Sequence, residues 1–144
     1  MGQIRLGNKP PLTVSPGDSV VSAARAMTER QVGAATVLDA GKVVGVISER
    51  DVLQKIVVAG LDPATTPVRD IMTREVVYVN TRTSVNDAAE LMRKHHIRHL
   101  VVLDDRDQLV GMLALRYLLY DLMGDMQRNV GDLMGYIMTD GPGG

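Results

Sequence analysis

The sequence contains itself twice. Val14-Ser15-Pro16-Gly17-Asp18-Ser19-Val20 aligns with Val79-Asn80-Thr81-Arg82-Thr83-Ser84-Val85 at an offset of 65, and the same offset pairs Val20, Ala23, Ala24 and Met27 with Val85, Ala88, Ala89 and Met92. It persists at Leu38-Asp39 against Leu103-Asp104 and becomes 66 at Gly45 and Gly111, one residue having been added where a hairpin turn is expected and insertion is cheap. A chain of 144 residues built this way has room for two half-size units that share a core. Whatever fold the first copy takes, the second has to take as well.

Each copy reads the same way. Ser19 and Ser84 are followed by apolar residues at i, i+3, i+4 and i+7, which predicts a helix with a serine N-cap and a single apolar stripe. Two short β-branched runs follow, Ala35 to Leu38 and Lys42 to Ile47 in the first copy, Leu100 to Leu103 and Leu109 to Leu113 in the second. Ala40-Gly41 separates the first pair and Asp105 to Gln108 the second, as hairpin turns would. A second helix is predicted from about Glu49 to Ala59, stopped by Gly60, and from about Leu115 to Arg128. The order predicts an α+β fold of two β-α-β-β-α repeats, each sheet covered by helices on one face.

The repeats divide the chain into residues 1–67, whose last part 60–67 is a linker with two prolines, and residues 68–129. Val68-Arg69-Asp70-Ile71-Met72-Thr73 leads into the second copy and resembles Val130-Gly131-Asp132-Leu133-Met134, whereas no such lead-in is legible before Val14. This predicts that residues 130–144 complete the module or its dimer and end in a disordered Gly141-Pro142-Gly143-Gly144 tail.

Composition narrows the partners. A formal net charge of −1 with 23% charged residues draws neither a nucleic acid nor an acidic membrane surface. With no cysteine there is no disulfide framework, thiolate nucleophile or Cys-ligated metal. No secretory signal pattern opens the sequence and no apolar run approaches the roughly 18 to 20 residues that span a bilayer, so a cytoplasmic protein is expected. Nine methionines in a chain without Phe or Trp point to an adaptable core or subunit interface.

One short motif differs between the copies in a way that bears on chemistry. Gly45-Val46-Ile47-Ser48-Glu49-Arg50-Asp51 has Gly111-Met112-Leu113-Ala114-Leu115-Arg116-Tyr117 as its counterpart, without the hydroxyl and the carboxylate. Ser48 is placed as the N-cap of the second helix and Asp51 as its N3 residue. The arrangement admits two readings. A Ser-x-x-Asp pair is a capping-box pattern that stabilises a helix by about 1 kcal/mol without any ligand. The same helix start also presents unpaired N–H groups, a hydroxyl and a positive dipole end to a phosphate, with a carboxylate one turn along for a pair of sugar hydroxyls.

The two units resemble a tandem pair of CBS domains, the cystathionine β-synthase type repeat that pairs into a Bateman module. The resemblance spans roughly Val14 to Leu122 and is carried by GVISERD, by Asp70-Ile71-Met72-Thr73 and by His96-Ile97-Arg98-His99-Leu100-Val101-Val102. It implies two repeats packed sheet to sheet about a pseudo-twofold axis, with adenine nucleotides bound in clefts between them. It implies that Ser48 contacts phosphate or ribose and Asp51 the ribose hydroxyls. Val76 and Val77 would then lie near the base, and Arg98, His99 and Arg116 near the phosphates. The symmetry-related cleft would be formed at Gly33, Arg50, Ala114 and Tyr117, a set without a carboxylate. One competent site and one degenerate site are therefore expected.

Among ligands, AMP, ADP or ATP come first and NAD or S-adenosylmethionine after them. His95, His96 and His99 are read as a solvated helix end or phosphate contacts rather than a metal site, because no cysteine or paired carboxylate completes a ligand set. Asp104-Asp105-Arg106-Asp107 is read as a solvated turn. No nucleophile with an adjacent base or paired catalytic carboxylates can be assembled, so a regulatory module is expected rather than an enzyme, acting on an unknown protein target. The alternative is a dimerisation or scaffold module with a vestigial site. A homodimer is expected in either case, through an apolar stripe of Leu118, Leu119, Leu122, Met123 and Met126.

Overall fold

The computed structural model describes residues 10–125 of the chain. In the first copy, β1 (Thr13–Val14) is followed by α1 (Val20–Arg30), the hairpin β2 (Ala34–Asp39) and β3 (Lys42–Ser48), and α2 (Glu49–Val52), which runs on as a π-helical turn over Leu53–Val57. A short α3 (Val68–Ile71) leads to β4 (Tyr78–Asn80), α4 (Val85–His95), the hairpin β5 (His99–Leu103) and β6 (Leu109–Ala114), and α5 (Leu115–Asp125). The expected segment 130–144 and the end of the last helix lie outside the described residues.

Duplication extends to the hydrogen-bond registers. β1 pairs parallel with β2 and β2 antiparallel with β3, as β4 does with β5 and β5 with β6, giving two three-stranded sheets. The register slips at Val37/Leu38 in one hairpin and at Val102/Leu103 in the other, the same place in each copy. Ser19 and Ser84 cap α1 and α4 as expected, their hydroxyls accepting from Ser22 N and Asp87 N. Both helices end at a residue in the left-handed region, Gln31 and His96.

Two features depart from the sequence reading. The linker is not a passive spacer: carbonyls of Thr66 and Pro63 accept the N–H groups of Val20 and Val21 at 2.9 Å each, so it holds the first turn of α1. The lead-in of the second copy also belongs physically to the first. Val68, Ile71 and Met72 fill the core formed by Val20, Val37 and Ile47, and Thr73 exchanges two backbone hydrogen bonds with Val46 at the edge of β3. This close approach accounts for Gly45, where a Cβ would stand 2.8 Å from the Met72 sulfur and 3.0 Å from the Thr73 carbonyl oxygen.

The copies grip each other reciprocally. Arg116 donates to the Gln31 carbonyl at 2.8 Å, and its counterpart Arg50 donates to the His96 carbonyl at 3.4 Å. Each second-helix arginine thus reaches the left-handed cap of the other copy's first helix, the relation a pseudo-twofold axis requires. Inner-face residues from both sheets, Val46 of one and Val101 and Met112 of the other, line a common cavity.

Of the stripe expected on the last helix, Leu118 turns inward, while Met126 lies outside the described residues. Leu118 is 1% exposed and packs in the second core with Leu100, Val102 and Leu113, because this face of α5 covers its own sheet. Among the described residues, large apolar side chains left exposed include Tyr117 and Tyr120 on α5 and Leu53, Val57 and Val58 beyond α2, with Val58 77% exposed. No helix of the described residues is long and apolar enough to cross a membrane.

Candidate functional site

β3 ends at Ser48 and α2 begins at Glu49, so the strand aims the helix N-terminus at the facing copy. The first helical N–H, that of Glu49, is bound by the Gly33 carbonyl at 3.0 Å. Ser48 and Asp51 form a complete capping box: the serine oxygen accepts from Asp51 N at 3.3 Å, and Asp51 Oδ2 accepts from Ser48 N at 2.9 Å.

Asp51 does more than cap. It is 6% exposed, and its Oδ2 also accepts from the Ser48 hydroxyl at 3.1 Å. Its Oδ1 accepts from Lys55 Nζ at 2.9 Å and from the Thr73 hydroxyl at 3.1 Å. All four lone-pair directions of the carboxylate are therefore used by its own chain, which is how a buried charge is kept at tolerable cost. Lys55 donates to the Ile71 carbonyl as well, at 2.9 Å, and ties the turn after α2 to α3.

This cluster forms one end of a cavity of about 310 Å³ between the copies. Val46, Val76, Val77, Ile97, Val101 and Met112 supply apolar walls, while Glu49, Arg50, Arg98 and His99 line the remainder beside Gly33. His99 packs against Gly33, its Cε1 3.4 Å from where a Cβ would stand. Burial first, then the positive charges of Arg116 and Arg98, lower its pKa from 6.5 to about 4, so the imidazole is neutral at physiological pH.

Six residues singled out in the sequence, Ser48, Asp51, Val76, Val77, Arg98 and His99, meet in this cavity. Arg116 does not line it; its guanidinium goes to Gln31 and lies over the Tyr117 ring, 5.2 Å from the centroid. Gly33 and Arg50, assigned to the symmetry-related cleft, line this cavity, Gly33 packing against His99 and Arg50 reaching the His96 carbonyl of the other copy. Ala114 and Tyr117 are not part of it. Sequence reasoning missed Lys55, Thr73, Glu49 and Glu75. Lys55 was signalled by its i+4 spacing from Asp51, and Thr73 by its place at the end of the lead-in motif.

Among the described residues no group of three His, Asp or Glu side chains is placed to hold a metal ion. Asp104 accepts from Arg106 N and Gln108 N through Oδ1, the solvated turn its sequence suggested.

Comparison with known proteins identifies the architecture. Residues 3–58 and 68–124 each match the family model described as CBS domain. The chain belongs to the CBS domain family. The first CBS match begins 65 residues before the second, so it takes in the stretch ahead of Val14, where the sequence alone showed no lead-in. Over 103 residues the chain is 38% identical to the CBS domain-containing protein YhcV of Bacillus subtilis, covering 72% of each. Of solved structures, a CBS-domain protein of Burkholderia ambifaria aligns with a TM-score of 0.77 at 32% identity, covering 83% of this chain and 86% of that one. A CBS-domain protein of Pyrobaculum aerophilum, solved in complex with AMP, aligns with a TM-score of 0.71 at 32% identity, covering 77% and 85%.

Proposed function

We propose that this CBS pair is a regulatory module that binds an adenine nucleotide in the cavity between its repeats and signals occupancy to a protein target through the conformation of a homodimer. The carrying observation is the composite cavity: Ser48 and Asp51 come from one copy, and Val76, Val77, Arg98 and His99 from the other. Apolar walls suit a purine, the Ser48–Asp51 helix start suits a ribose, and Arg98 suits a phosphate. The AMP-bound relative supports the same ligand class. AMP, ADP and ATP are the first candidates, ahead of NAD and S-adenosylmethionine. Because the cavity spans both copies, a ligand there has differential contact with any two arrangements of them, which is what shifts a conformational population. The open apolar side chains Leu53, Val57, Val58, Tyr117 and Tyr120 supply the surface on which a second copy would pack.

One observation favours a second reading, a dimeric scaffold with a vestigial site: the Asp51 carboxylate is already saturated by Ser48, Lys55 and Thr73. Titration calorimetry with AMP, ATP and NAD separates the two. Saturable binding that is lost in both Asp51→Asn and Arg98→Gln, each checked for native circular dichroism, supports the nucleotide module. Absence of heat with all three ligands leaves the scaffold.

A further inference from the structure

The cluster around Asp51 has one side-chain donor still unused, and it does not belong to Asp51. The carboxylate accepts four donors from its own chain, two at each oxygen, so no lone-pair direction is left for a ligand. The hydroxyl protons of Ser48 and Thr73 both go to that carboxylate. Lys55 is different. An ammonium carries three N–H groups, and among the described residues this one has two acceptors, Asp51 Oδ1 and the Ile71 carbonyl, each at 2.9 Å. Its side chain lines the cavity and is 42% exposed, against 8% for that of Asp51. The third N–H is therefore held at the cavity by two anchoring bonds and has no partner of its own among the described residues.

Unused acceptors stand beside it. Ser48 Oγ accepts one bond, from Asp51 N at 3.3 Å, and Thr73 Oγ1 accepts none among the described residues; both residues line the same cavity. A hydroxyl group donates one hydrogen bond and accepts others. A sugar diol is thus matched by an ammonium N–H together with a serine or threonine oxygen, and not by a carboxylate that is already full. The second copy has no such set in its sequence, since Ala114, Tyr117 and Asp121 occupy the positions that match Ser48, Asp51 and Lys55.

We infer that Lys55 makes the cluster's direct contact with the ligand, donating its third N–H to a sugar hydroxyl oxygen, and that Asp51 is the positioning residue that holds it there. This rests on the nucleotide reading above. Calorimetry on the full chain compares AMP with its dideoxy analogue, which lacks both ribose hydroxyls. The parent is expected to bind AMP at least about ten-fold more tightly than the analogue, and Lys55→Gln to bind the two alike. Glutamine separates contact from scaffolding because its amide has two N–H groups, enough for Asp51 and Ile71 with none left for a ligand. Each variant is checked for native circular dichroism, and Lys55→Met takes the place of Lys55→Gln if the latter does not fold. Equal binding of the two nucleotides by the parent overturns the sugar contact and leaves the nucleotide reading standing. A preference for AMP that survives the loss of the ammonium overturns the assignment to Lys55. Failure of the parent to bind either nucleotide overturns the nucleotide reading and the contact with it.

Discussion

The second helices of the two copies begin alike and are furnished differently. Glu49 N binds the Gly33 carbonyl at 3.0 Å, and its counterpart Leu115 N binds the Arg98 carbonyl at 2.9 Å, so both helices are anchored by the same backbone contact. Around that contact the first copy adds Ser48, Asp51, Lys55 and Thr73, whereas the second has Ala114 and Tyr117 and forms a helix of 11 residues regardless. The fold does not demand a carboxylate at this place. A buried charge that the architecture can do without is more economically explained by what it faces, and Asp51 faces the cavity.

The sharpest way to break this comparison is to remove the group that makes it. Asp51→Ala leaves Lys55, Thr73 and Ser48 without their shared acceptor, and a part-buried network stripped of its central carboxylate costs about 2 to 3 kcal/mol. Tyr117→Ala, at the matching place, removes a half-exposed ring and costs under about 1 kcal/mol. Urea denaturation of the two variants measures the difference. Equal costs would mean that the carboxylate is only a helix cap.

Next in size is the contact that joins the second copy's lead-in to the first copy's sheet. Gly45→Ala drives a methyl against the Met72 sulfur and the Thr73 backbone oxygen, and since backbone cannot step aside cheaply we expect a loss of about 2 kcal/mol. The same substitution also pushes Thr73 from Asp51, so any ligand affinity should fall with stability. A variant as stable as the parent would show that lead-in and sheet are not tightly coupled.

His99 makes a pH-dependent form of the comparison, since its counterpart Ala34 cannot titrate. The folded pKa, about 4, lies below the ordinary 6.5, so above pH 6.5 neither state binds the proton and the shift costs nothing. As pH falls from 6.5 towards 4 the unfolded chain takes up a proton the folded one refuses, and stability drops by between about 1 and 3 kcal/mol. His99→Gln should flatten that segment of the pH–stability curve measured by denaturation at pH 7 and pH 4.5. An unchanged slope would place the buried proton-refusing group elsewhere.

Much of this was legible in the sequence, for a physical reason: periodicity, caps and turns are local, and duplication let each be read twice. Ser19 and Ser84, both hairpins and the start of both second helices stand where the pattern put them. What escaped was non-local. That Val68, Ile71 and Met72 fill the other copy's core, that Leu118 turns inward, and that Arg116 spends its guanidinium on the Gln31 carbonyl depend on how the copies dock. The grouping of Gly33 and Arg50 with Ser48 has the same origin. Spacing along one helix pointed to Asp51; only the packed pair reveals that four donors already hold it.

The smallest expected effect tests whether the copies are equivalent where their sequences agree. Ser19 and Ser84 each accept one N3 backbone N–H at 3.1 Å from an exposed position, so replacement by alanine should cost about 1 kcal/mol in either copy. Their surroundings differ, because the linker carbonyls of Thr66 and Pro63 hold Val20 and Val21 in the first turn of α1. If the strap acts independently of the cap, the two denaturation midpoints shift together, within about 0.5 kcal/mol. A cost at Ser19 that is larger by more than about 1 kcal/mol would mean that the cap and the linker strap are cooperative.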